Sequence, residues 1–331
     1  MWKWNATVPV SANGCIHDLI TQKAREQPLS TALCAWDGQL NYQQLEDLTT
    51  ALAVDLVGRG VGRGCIVRLL FEKSMWQSVA ALAVFKAGAA AVGIDAATES
   101  RERIGQIMQL TKAKICLFSV SNGSWASENG VENLVIGPDL PTNTSTPNNQ
   151  SAQMTSSTSS FASGSTGTPK GVKITHNNLS SALLDQRDAL GYHPNSRVLD
   201  FTYYAFDVSW SNLLNTLTAG NIPLSTTSYS QLTYQGATLC IPSADERQNA
   251  LPEALKSYAI TLADLPPSLA RHTTGLSELA TFILGGETVQ QSDASLARAV
   301  KNAYGPAECT LSAALTDASS SSIGIGVGVC T

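Results

Sequence analysis

FASGSTGTPKGVKITHNNL, residues 161 to 179, sets Gly, Ser and Thr around a single Lys and then turns into a helix-like run. Glycines bare their backbone N–H groups and Ser/Thr hydroxyls add donors. Such a loop offers a concave surface to phosphate oxygens, with the Lys as a point charge. From Gly164 to Gly171 the order is GSTGTPKG, so the Lys is followed by Gly where a P-loop ATPase needs Ser or Thr for magnesium. The spacing argues against a Walker-type NTPase. Composition alone leaves a second reading open, in which the loop merely continues the Ser/Thr/Asn-rich stretch before it.

Working outward, 331 residues with 43% hydrophobic and 14% charged side chains can bury a sizeable core and support more than one lobe. A formal charge of −5 without a Lys/Arg stripe argues against a nucleic-acid or anionic-membrane surface and for a small-molecule substrate. The seven cysteines are scattered, with no C-x-x-C pair and no His at metal-ligand spacing, and are expected to be reduced, mostly buried thiols. MWKWNATVPV lacks the apolar region of a signal peptide, and the stretch from Val79 to Ile94 is interrupted by Lys86 and too short to span a bilayer. No membrane partner is expected, and a cytoplasmic location is.

Asn41 with Gln44 reads as a capping box opening a helix that ends near Gly58 and Gly60, and Ser74 with Gln77 as a second one. Strands are expected at IVRLLF (66–71), AAVGI (90–94) and KICLF (114–118), with a helix over 101–111. This alternation predicts an α/β fold with a largely parallel, covered sheet. Residues 138–160 collapse into Thr, Asn, Ser, Pro and Gln and read as a linker between a first α/β unit, 1–137, and a second, 161–331. In the second unit RVLDFTYYAF (197–206) is expected as a strand and NNLSSALLDQRDAL as a helix.

The order S-G-S-T-G-x-P-K-G-V resembles the phosphate-binding signature of the adenylate-forming, or AMP-binding, superfamily. FKAGAAAVGIDAATESRERI (85–104) and NAYGPAECT (302–310) resemble two further blocks of that family in the required order. WNATVP and CAWDGQLNYQQLEDL are similar to the entry of a fungal peptide-synthetase adenylation domain. The resemblance implies the large N-terminal lobe of such an enzyme, a ligase joining ATP and a carboxylic acid into an acyl-adenylate with release of pyrophosphate. A carrier-protein thiol in trans then takes the acyl group.

Carried over by position, the resemblance sets Ser163, Gly164, Ser165, Thr166, Gly167 and Lys170 around the phosphates, with Thr166, Lys170 and Glu308 as catalytic residues and Glu308 holding Mg²⁺. It sets Gly285, Gly286, Glu287, Asn302, Tyr304 and Gly305 against the nucleotide. Asp207 would pair with an α-ammonium, making the substrate an α-amino acid, and Val208, Ser211, Asp264, Ile283, Ala303, Leu311 and Ser312 would line the side-chain pocket. Taken singly, Tyr304 reads as a core aromatic and Glu308 as a solvated loop acid. His176 and His272 read as surface or helix-end histidines.

Several stretches depart from the family pattern. GIDAATES lacks its prolines, and MTSSTSS (154–160) stands where an apolar strand leads into the loop, so a poorly anchored strand is expected there. Removing 221–236 restores the reading LTAGATLCIPS; a surface-loop insertion and an unspliced intron are both open. The sequence stops at SSIGIGVGVCT without the family's C-terminal lobe, so weak or absent adenylation is expected, the alternatives being a noncatalytic remnant that binds nucleotide or an acyl- or aryl-acid CoA ligase.

Overall fold

The computed structural model describes residues 14–95, 98–123, 132–140, 156–163, 169–219, 236–310, 312–318 and 325–326. The elements of the first part are α1 (Ile16–Glu26), β1 (Thr31–Ala35), β2 (Gly38–Asn41), α2 (Tyr42–Gly58), β3 (Ile66–Leu70), α3 (Met75–Lys86), β4 (Ala90–Ile94), α4 (Arg101–Thr111), β5 (Ile115–Phe118) and β6 (Glu132–Val135). Then come β7 (Ser156–Ser163), β8 (Pro169–Thr175), α5 (His176–Leu190), β9 (Arg197–Leu199), α6 (Asp207–Thr218), β10 (Thr238–Ile241), α7 (Ala244–Asn249) and α8 (Leu251–Ser257). The last are β11 (Leu262–Leu265), α9 (Pro267–Ala270), β12 (Thr281–Leu284), β13 (Val300–Tyr304), β14 (Ala314–Asp317) and β15 (Ile325–Gly326).

Two mostly parallel sheets result. One has nine strands in the order β15-β14-β13-β12-β11-β9-β10-β1-β2, the other six in the order β6-β5-β3-β4-β7-β8. They do not divide the chain where the sequence suggested, at 138–160. β1 and β2 join the nine-stranded sheet of the later residues, while β7 and β8 close the six-stranded sheet of the earlier ones. Among the described residues no helix is long and apolar enough to cross a membrane.

α3 explains how the sheets are held. Its residues Met75 to Lys86 are all buried, so it has no polar face, as a helix enclosed on every side should. It packs on β3 and β4 of one sheet and on β1 of the other, and on α2. One apolar cluster accordingly joins Val67, Leu69 and Ala91 to Leu33, Leu239 and Ile241. The charge at its end is matched: Lys86 Nζ lies 2.8 Å from a Glu46 carboxylate oxygen on α2.

Local signals behave as their chemistry dictates, with four differences. Asn41 and Gln44 form the expected capping box of α2. Ser74 caps α3 through Trp76 N and not Gln77, because its hydroxyl also donates to Asp37 at 2.7 Å. The strand expected at 197–206 pairs only over Arg197–Leu199; Asp200 then turns to Lys73, 2.6 Å away, and the chain bends into α6. The expected linker gives way to β7 from Ser156, whose backbone pairs with β4 and with β8. Ladder hydrogen bonds need no apolar side chain, which is what a Ser/Thr-rich strand can still offer.

His176 is not a surface residue. It opens α5 at 1% exposure, and its Nδ1 accepts the Ile16 N–H at 3.3 Å. Its ring meets His17 edge-on at 5.2 Å and Phe85 at 5.6 Å, which ties α1, α3 and α5 together. Burial and the neighbouring His17 lower His176 to about 3, and burial and Lys86 lower His17 to about 4, so both rings are neutral. Sequence spacing gave no sign that Cys15, His17 and His176 meet, though their ligand atoms lie within 4.8 Å of one another. His272 is exposed after α9, as expected. The six described cysteines form no disulfide, and three of them, Cys15, Cys116 and Cys240, are buried; Cys330 and the segment 220–235 lie outside the described residues.

Candidate active site

A cavity of about 880 Å³ opens at the ends of β11, β12 and β13, where the open edge of a parallel sheet customarily receives ligands. Four segments build it. The start of α6 contributes Asp207, Val208 and Ser211; β11 contributes Asp264; the end of β12 contributes Ile283, Gly285, Gly286 and Glu287; β13 and the turn after it contribute Asn302, Ala303, Tyr304 and Gly305, with Ser312 facing them. These residues, far apart in sequence, are brought together because β11, β12 and β13 run parallel in register, with Asp264 beside Ile283 and Ile283 beside Lys301.

Packing accounts for the small residues. A Cβ on Gly305 would stand 2.6 Å from Ala313 N, so the turn after β13 can close on Ser312 only through glycine. Gly286 sits at φ +79°, the left-handed region that glycine enters without strain. Beside it, Glu287 accepts from the Ser268 N–H at 2.9 Å and from the Ser268 hydroxyl at 2.8 Å, which holds this exposed acid in place. Tyr304 is 64% exposed at the cavity, so it is no core aromatic.

The electrostatics of the floor are one-sided. Asp207 stands in the first turn of α6, where the helix dipole favours a carboxylate, yet its pKa is raised. Burial is the largest cause, backbone N–H groups of Val208 and Asp207 oppose it, and Glu308 adds repulsion. Asp264 is enclosed more deeply and is accessible only in part; burial first, and then Asp207, push it up to about 7. The buried Tyr192 hydroxyl donates to Asn212 Oδ1 at 2.9 Å.

Two other expected site residues, Lys170 and Glu308, do not line the cavity. Lys170 is exposed on β8, paired in register with Ala162 of β7. Glu308 is exposed on a short 3-10 turn, Ala307–Cys309, that packs beside β8. Ser163 ends β7, and Gly164, Ser165, Thr166, Gly167 and Leu311 lie outside the described residues. The cavity also has walls that motif reading missed: Leu190, Phe201, Thr202, Tyr203, Pro266, Thr288 and Val289. The aromatic density of DFTYYAF was the available signal, misread as strand.

The family model described as AMP-binding enzyme matches residues 20–331. The nonribosomal peptide synthetase ungA' of Aspergillus campestris is 39% identical over 100% of this chain, which covers 4% of that protein. Peramine synthetase A of Epichloe festucae is 36% identical over 99% of the chain, which covers 12% of it. The chain thus spans less than a fifth of the length of these relatives. Among solved structures, an AMPPNP-bound form of the nonribosomal peptide synthetase FmoA3 superposes with a TM-score of 0.83 at 20% identity, over 99% of this chain and 36% of that one. The N-terminal subdomain of Klebsiella oxytoca NpsA gives 0.79 at 19% identity, over 96% and 80%. The fold is that of the N-terminal subdomain of adenylate-forming enzymes, and the chain belongs to the AMP-binding enzyme family.

Proposed function

We propose that this chain activates an α-amino acid by adenylation in the assembly of a nonribosomal peptide. The observation that carries the reading is the placement of Asp207 at the mouth of α6, in one cavity with Tyr304 and the glycine turn of Gly285 and Gly286. A carboxylate that burial makes costly is stabilised by an ammonium group, which is what an α-amino acid supplies. In the reaction, a substrate carboxylate oxygen bonds to the α-phosphorus of ATP while the bond to the bridging oxygen breaks and pyrophosphate leaves.

The residues have separable tasks. Asp207 holds the α-ammonium and so orients the carboxylate; Tyr304 offers a face to adenine; the Ser/Thr/Gly loop and Lys170 bind phosphate oxygens as donors and as a charge. The exposed Glu308, a hard oxygen donor beside β8, fits Mg²⁺, which when bound neutralises phosphate charge. A carrier-protein domain is the acceptor this reading requires.

Amino-acid-dependent ATP–pyrophosphate exchange on the 331-residue chain, with Lys170→Ala as control, tests the proposal. Exchange that requires one amino acid and disappears in the variant supports it. Nucleotide binding without exchange for any amino acid transfers the chain to the noncatalytic reading.

A further inference from the structure

Asp264 gives the cavity a second acidic site that the adenylation chemistry does not use. Its carboxylate faces the same space as Asp207, and among the described residues no side chain or backbone group donates to it. The described lining contains three carboxylates, Asp207, Asp264 and Glu287, and no Lys, Arg or His. Glu287 is already satisfied by Ser268, which leaves the other two for a ligand. Elsewhere buried acids meet cations, as Asp200 with Lys73 at 2.6 Å and Asp293 with Arg271 at 2.7 Å, whereas Asp264 has none among the described lining residues. Val208, Ile283 and Ala303 add apolar wall to the same cavity. Apolar wall ending in an acid suits a methylene stem that carries a cation at its tip.

We propose that the substrate carries two cationic nitrogens, as amino acids of the ornithine, lysine and arginine class do, with the α-ammonium at Asp207 and the side-chain cation at Asp264. The inference rests on the amino-acid reading of this site. Placing one cation at each carboxylate also removes the repulsion between the two acids, an effect that no neutral side chain can supply.

Isothermal titration of the chain with L-ornithine, L-lysine and L-arginine, with and without ATP, is set against L-norvaline and L-norleucine, which lack only the terminal amine of the first two. L-5-hydroxynorvaline replaces the amine by a neutral donor. At least one basic amino acid should bind 100-fold or more tightly than its neutral counterpart. Asp264→Asn should bring it down to the neutral level. Neutral analogues binding as tightly as every one of the basic amino acids, with all binding lost in Asp207→Asn, overturns the second cation and leaves the amino-acid reading standing. Failure of every amino acid to bind overturns both. The ligand series on the unaltered chain decides the matter even if Asp264→Asn does not fold.

Discussion

Around α3 the protein buries Lys73 against Asp200 at 2.6 Å and Lys86 against Glu46 at 2.8 Å, whereas the cavity at the ends of β11 to β13 encloses Asp264 beside Asp207 with no cation among the described lining residues. Both regions remove charge from water, and both incur a desolvation cost. In the first the protein supplies the counter-charge and the result is a fixed seam between two sheets. In the second the counter-charge has to arrive with a ligand. A buried ion's partner, more than its burial, separates architecture from binding.

The largest effect should come from breaking the paired region. Lys73 also lies 4.0 Å over the Tyr204 ring, and its pKa falls to about 8 because burial outweighs Asp200. Lys73→Met leaves Asp200, 1% exposed, without its cation, and should lower the unfolding free energy by about 3–5 kcal/mol. Adding Asp200→Leu should recover most of it, since removing both charges leaves no orphan. Urea unfolding of the single and double variants measures this; a double variant as unstable as the single one would show that the pair is not the unit.

The unpaired region makes a pH prediction of opposite sign to that of the histidines. Folded Asp264 holds a proton up to about 7 against an ordinary 3.8, so between these values folding weakens as pH rises. His17 and His176 sit at about 4 and 3 against 6.5, so the unfolded chain takes up protons that the folded chain refuses, and folding strengthens as pH rises toward 6.5. Asp264→Asn removes only the first effect. Relative to the parent, its stability should be unchanged near pH 4 and rise to on the order of 4 kcal/mol above it near pH 8, read from denaturant melts across that range. A constant offset would place Asp264 outside the unpaired class.

At Asp207 the comparison becomes functional. Asp207→Asn keeps the shape and the helix position but removes the charge, so an ammonium ligand should lose about 100-fold or more in affinity while the fold is kept or slightly strengthened. Lys73→Met should show the reverse pattern, with a loss of stability out of proportion to affinity. Titration calorimetry together with melting curves separates the two.

How much of this was legible in sequence follows from the range of each interaction. The capping box at Asn41, the apolar run Val79 to Phe85 within α3 and the blocks around Gly285 and Tyr304 are local, and local order reads directly. The Lys73–Asp200 pair, the meeting of His17 with His176, and β7 drawn into a ladder by β4 depend on partners distant in sequence, 67 residues apart for Thr158 and Ala91 and further for the two side-chain pairs. Nothing in MTSSTSS reports that two neighbouring strands await it. DFTYYAF failed for a related reason: its aromatic residues are apolar enough for a strand, but the last ladder bond is the Asp200 N–H to Cys240 O, and Phe201, Tyr203 and Phe206 line a cavity.

The smallest effect checks that local signals stay local. Asn41 accepts the Gln44 N–H at 2.7 Å, and Gln44 returns the favour to the Asn41 N–H at 2.9 Å, at an exposed helix start that contributes nothing to the cavity lining. Asn41→Ala removes one of these bonds and should lower stability by about 1 kcal/mol. Because α2 carries Glu46, the partner of Lys86, the loss can spread into the paired seam through α3, and the melting temperature should fall. Amino-acid affinity should not change. If it did, the seam around α3 and the acidic cavity would be coupled, and the division of buried charge into a structural and a ligand-binding class would have to be replaced by a single network.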